Sequence, residues 1–206
     1  MHLPAFFDAA PRITVRDPLA RFLGVADDGI FEYTYADAVK LAGHSCPTVA
    51  SAYLMTRAAL RALHPDVLAE RGGLRVELRD DRLAGATGVV AKVVGLLTGA
   101  TADSGFKGIG GYFDRRNLLF FGVSLPGQMR VTRTDNHAAV DVSARLDRVA
   151  PDPRMPVLLP ACLRGTATAD EVALFRSLWQ ARVESLLIDH ADDPEVIIIE
   201  HLRTRP

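Results

Sequence analysis

Apolar and polar positions change period several times along the chain, and each change marks an element. Residues 30–35, IFEYTY, alternate and predict an extended segment; residues 74–80, LRVELRD, alternate apolar with charged side chains as a strand half-buried on one face does. From Pro47 the stretch PTVASAYLMTRAALRAL runs without a breaker to His64-Pro65, with Val49, Tyr53, Leu54, Leu60 and Leu63 largely on one face, which predicts the longest helix of the first half. Two shorter helices precede it. One begins at Asp17-Pro18, a cap followed by proline at the first helical position, and stops near Gly24; the other, ADAVKLA, runs into Gly43.

Residues 88–98, GVVAKVVGLLT, are apolar nearly all round, and their length favours a buried helix. Three runs follow, NLLFFGV at 117–123, QMRVTRT at 128–134 and AAVDVS at 138–143. Pro126-Gly127 and Asp135-Asn136-His137 separate them, and the spacing predicts a three-stranded meander. The pattern changes after Asp147. A proline-rich connector, PDPRMP at 151–156, leads to an amphipathic helix over 170–190 with Phe175, Leu178, Trp179, Val183 and Leu186 on one side, and VIIIEHL closes as a strand. The chain therefore divides into an α+β domain at 1–150 and a C-terminal helical appendage at 151–206, packed on that core or on a second copy of the chain. That appendage is the basis for expecting a homodimer.

Composition narrows the function classes. In 206 residues, 24 lysines and arginines stand against 25 acidic residues, and the basic ones are spread rather than clustered, so no nucleic-acid footprint is present. The longest apolar runs are too short, or too interrupted by Lys92 and Gly95, to cross a bilayer. The first residues lack a basic segment followed by an apolar run, and the two cysteines, Cys46 and Cys162, fit a reducing, cytoplasmic compartment.

The chemistry concentrates in GHSCP at 43–47. Pro47 suits the first helical position and pushes Cys46 into an extended conformation, which makes Cys46 the N-cap of the long helix. A thiol facing unpaired N–H groups and the positive end of a helix dipole is favoured as thiolate. In an extended segment His44 and Cys46 point to the same side. Two roles stay open for the pair: a thiolate nucleophile with His44 as its acid–base partner, or two ligands of a zinc or other transition-metal ion, which needs three or four. A third use is non-catalytic, with the pair ligating haem iron.

GHSCP followed by ASAYLMTRAALRAL resembles the FmdE-like family, named for a component of formylmethanofuran dehydrogenase, and LLTGAT at 96–101 is similar to a second segment of that family. The resemblance spans about residues 40–143. It implies an α+β fold of helix, strand, helix and three strands with a mixed sheet, the order read above from the residues, and metal binding, usually zinc, through His44 and Cys46. Members often carry further histidine or cysteine where this chain has Ala42, a residue near Val89, and Ala100.

The remaining candidates are weaker. Lys107 stands among four glycines in GFKGIGG, placed to meet a carboxylate or phosphate, although the segment is not a phosphate loop. Tyr53, Thr87 and Asp103 are polar residues that the fold could bring to a small-molecule ligand at the same site. Cys162 and Trp179 read as packing, His64 and His137 as solvent-facing, and His2 and His201 as residues of the chain ends.

Overall fold

The computed structural model describes residues 3–202. Its elements are α1 (Phe6–Ala9), β1 (Ile13–Arg16), α2 (Pro18–Phe22), β2 (Ile30–Tyr33), α3 (Tyr35–Ala42), α4 (Pro47–Leu63), β3 (Leu74–Leu78), α5 (Thr87–Thr98), β4 (Leu119–Phe120), β5 (Met129–Arg133), β6 (Ala139–Ala144), α6 (Met155–Leu163), α7 (Ala169–Ile188) and β7 (Ile197–His201). Local side chains set several of these boundaries. The Asp17 carboxylate accepts from the N–H groups of Leu19 and Ala20 at 3.0 and 3.1 Å and starts α2. Thr168 and Glu171 cap each other at the start of α7, the Glu171 N–H donating to Thr168 Oγ1 and the Thr168 N–H to Glu171 Oε2.

The fold is α+β. β1 and β2 form an antiparallel pair, and the main sheet has the order β4-β3-β5-β6-β7, with β3 and β4 parallel and the other neighbours antiparallel. Leu74, Val76 and Leu78 of β3, Met129 and Val131 of β5, and Val140 and Val142 of β6 face one side and are buried there, with α4 packed on β6 and β7 and α5 on β3. The opposite side carries Arg75, Glu77, Arg130 and Asp141, where Arg130 grips Asp141 through two nitrogens at 2.6 and 2.9 Å. Among the described residues no helix is long and apolar enough to cross a membrane.

The expected meander is corrected at its first strand. Residues 117–123 shrink to the two-residue β4, which lies on the far side of β3 from β5. Two causes act together. The Thr101 carbonyl takes the N–H groups of Leu118 and Leu119 at 3.0 and 3.1 Å, shortening the strand. And β3, α5 and β4 form a strand–helix–strand unit, whose helical crossover makes the two strands parallel rather than a hairpin. β1 is an addition that the pattern did not announce: Ile13 and Val15 alternate with exposed residues for only four positions before the cap at Asp17.

The segment after residue 150 shares the core of the rest. β7 hydrogen-bonds to β6 as the fifth strand, and α7 packs on α4, with Val183, Leu186 and Leu187 fully buried in the same apolar cluster as Val49, Leu54 and Val142. His201 ends β7, while His2 lies outside the described residues.

Candidate functional site

The chain leaves α3 at Gly43 and reaches α4 through three residues. Cys46 is the N-cap of α4, with φ −155° and ψ 167° and Pro47 at the first helical position, yet no side-chain cap bond forms. Its side chain belongs to the apolar core, the residue being 8% exposed. His44 is exposed, and its Nδ1 donates to the Ala42 carbonyl at 3.0 Å, holding the ring on its own loop. The pair thus occupies two environments, one in the core and one in solvent.

The residue between them makes the long-range bonds. Ser45 Oγ donates to Gln180 Oε1 at 3.0 Å and bonds to the Tyr35 hydroxyl at 3.1 Å, and the Ser45 carbonyl accepts from Trp179 Nε1 at 2.9 Å. Burial pushes the Tyr35 hydroxyl well above its ordinary pKa, partly offset by the Ser45 bond, so it stays a neutral donor. Through these contacts α7 clamps the GHSCP segment. Trp179 carried the one sequence signal of this, because a mostly buried indole N–H needs a partner; Ser45 and Gln180 carried none.

The donor set does not fit zinc. Among the described residues no three histidine, cysteine, aspartate or glutamate side chains come together, and the positions that the resemblance would fill are alanine and valine here. The surface clefts of about 410, 240 and 280 Å³ beside the motif are walled by Ser45, Thr48 and Pro47 respectively, and none of the three is lined by His44 or Cys46. A thiol reagent added to the native protein is expected to label half-exposed Cys162 first and Cys46 only as slowly as the fold opens; rapid labelling of Cys46 at neutral pH would restore an accessible thiolate.

Thr48 opens a cleft of about 240 Å³ at the start of α4. Thr48 and Ser51 from α4, Asp80 after β3, Thr87 from α5 and Gln128 before β5 supply its polar wall, over Met55 and Met129. Two helix starts therefore border one cleft. Neither has a side-chain cap, and the N–H groups of Thr48, Val49 and Gly88 lack protein partners among the described residues. The hydroxyls of Thr48 and Thr87 likewise have no protein partner there, although Thr87 is buried. Gln128 is fixed by pairing its side-chain amide with the backbone of Ala144, accepting from its N–H at 3.1 Å. Asp80 is the one ionisable side chain among the described residues of the wall and accepts from Arg79 Nε at 3.0 Å.

Of the residues singled out in the sequence, Thr87 lines this cleft and the others do not. Tyr53 is fully buried; its hydroxyl donates to the carbonyls of Pro11 and Tyr33 at 2.8 and 3.0 Å, tying β1 and β2 to α4, which is a structural task rather than a ligand contact. Asp103 and Lys107 are exposed on the loop between α5 and β4. The middle of that loop is a small hairpin in which Ile109 and Tyr112 exchange backbone bonds around Gly110 and Gly111. No protein-family model matches this chain, and no curated protein matches it.

Proposed function

We propose that the chain binds a small polar molecule in the cleft between the first turns of α4 and α5. One observation carries this reading: two helix starts without side-chain caps border one cleft in which the Thr48 and Thr87 hydroxyls also have no protein partner among the described residues. Uncapped N–H groups and the positive ends of two helix dipoles favour an anionic or acceptor-bearing group. Asp80 in the same wall favours a donor on the other end of the ligand, which describes a molecule of amino-acid or small hydroxy-acid size. The FmdE-like resemblance supports the location, since it points to the start of the same helix, two residues before Thr48. It also implies a metal at His44 and Cys46, and that part gains no support from the donor set.

The test is calorimetric titration of protein purified without a metal-affinity tag, using amino acids, hydroxy acids and phosphate monoesters, beside elemental analysis of the same sample. Thr87→Val is expected to weaken the compound that binds by about tenfold, the worth of one hydrogen bond to a charged group, with the melting temperature nearly unchanged. Binding untouched by Thr87→Val and Thr48→Val would overturn the reading. Stoichiometric zinc that disappears in Cys46→Ser would replace it with the metal-centred one.

A further inference from the structure

The main sheet has two unequal edges. β4 is two residues long, whereas β7 is five residues long, begins with three isoleucines and contains no proline, lysine or arginine. Edge strands are normally blunted by shortness, charge, proline or a covering element, because their unpaired backbone groups invite another strand. Glu200 is the one carboxylate of β7, and the strand is neither short nor interrupted.

The β6 ladder fixes which groups β7 leaves open. The Arg145 N–H donates to the Val196 carbonyl at 2.8 Å and the Leu202 N–H to the Ala139 carbonyl at 3.0 Å, so Val196, Ile198, Glu200 and Leu202 turn their backbone toward β6. Ile197, Ile199 and His201 turn theirs outward. The Ile197 N–H is taken by the Asp193 carbonyl at 2.8 Å. The carbonyl of Ile197, both groups of Ile199 and the N–H of His201 have no partner among the described residues.

We propose that this edge pairs antiparallel with β7 of a second copy of the chain, about a two-fold axis through Ile199, joining the two sheets into one. The occupant follows from the chemistry of the edge. Alternating backbone donors and acceptors take an extended strand, and the open groups of β7 are complementary to themselves. With the axis at Ile199, each Ile199 N–H meets the Ile199 carbonyl of the other copy, and each His201 N–H meets an Ile197 carbonyl, so every open donor has an acceptor. Moving the axis to Ile198 leaves the His201 donors unmatched. Moving it to Glu200 sets two like charges directly opposite each other, which is unfavourable. The Ile199 axis instead places Glu200 across from Ile198. A cleft of about 690 Å³ between α4 and β7, floored by Ala58, Ala62, Ile197 and Ile199, opens along the same edge, where the second copy would cover it.

Sedimentation equilibrium of the full chain at micromolar concentration tests this. A dimer is expected, and the mass of a 22.3 kDa monomer would overturn the proposal. Ile199→Pro removes an N–H that β6 does not use and takes away two of the intermolecular bonds, so association should fall about thirtyfold. Should that variant fail to fold, Ile198→Glu sets a carboxylate across from Glu200 of the other copy at both symmetry-related pairs, without touching the ladder, and should also weaken association. A dimer unaffected by Ile198→Glu would overturn the proposal. In a Cys162→Ser background, Ile199→Cys should cross-link to its own copy under mild oxidation; cross-linking through Glu200→Cys instead would reject the Ile199 axis.

Discussion

Asp17→Asn is expected to cost the fold about 3–5 kcal/mol, the range for removing one partner of a buried ion pair. Asp17 is 4% exposed and binds two guanidinium groups: Arg71 Nη1 reaches Oδ2, and Arg115 Nη2 donates to Oδ1 at 2.8 Å. Arg115 is itself 6% exposed, so water screens little of the interaction. Asparagine caps a helix about as well as aspartate, and the substitution therefore removes the charge while keeping the start of α2. Against a total stability of about 5–15 kcal/mol, the loss is large enough to shift a urea midpoint plainly. A cost below about 1 kcal/mol, the scale of a lost cap, would show that the cluster contributes no more than a surface pair.

The same carboxyl sets a direction for pH dependence. Burial alone would raise its pKa, but the Ala20 N–H and the charges of Arg115 and Arg71 outweigh burial and hold it below the ordinary value. A depressed carboxylate contributes its full stability above the unfolded pKa, near ~3.9, and loses it as pH falls through the lower folded value. Acid unfolding of the parent chain should therefore include an Asp17 component below about pH 4 that is absent from Asp17→Asn. The arginines stay charged throughout that range.

The cluster also gives a physical role to LLTGAT. A Cβ at Gly99 would stand 2.6 Å from Arg115 Nη1, and one at Gly72 would stand 2.3 Å from it, while both glycines hold positive φ, +74° and +82°. The guanidinium therefore lies where side chains at these turns would be, and the Gly99 turn holds it beside Asp17. The sequence showed Asp17 only as the cap of α2, because capping is decided within three residues. Its arginine partners stand 54 and 98 positions away, beyond any local pattern.

The same division runs through the candidate site. Pro47 and the extended Cys46 were legible because proline restricts its own φ and its predecessor. The clamp on Ser45 from Gln180 and Trp179, 135 and 134 residues away, was not. The strands of β3, β5 and β6 were legible from alternation, but the position of β4 depended on the α5 crossover and on the bonds that Thr101 makes. Thr87 was visible as a polar residue near an apolar helix. Thr48, Ser51 and Asp80 became its neighbours only when the ends of α4, α5 and β3 met.

The second large effect is expected at the other end of the chain. Leu186 lies at 0% exposure in α7, beside Val183 and Leu187, and joins the cluster that holds α4 on the sheet. Leu186→Ala should cost about 3–5 kcal/mol, the upper part of the range for buried leucines, because the packed elements around it limit collapse into the cavity. Cutting the chain after residue 150 goes further. It removes the buried face of α7, the β7 partner of β6, and the Gln180 and Trp179 bonds to Ser45, and so opens the apolar cluster that Val183, Leu186 and Leu187 share with α4 and β6. Apolar surface of that extent is not replaced by anything within residues 1–150, so the fragment should lack the near-ultraviolet circular dichroism of a packed core and should be degraded quickly by a protease that spares the full chain. A fragment that keeps both the signal and the resistance would show that 1–150 folds independently, with α7 and β7 as additions to a finished domain.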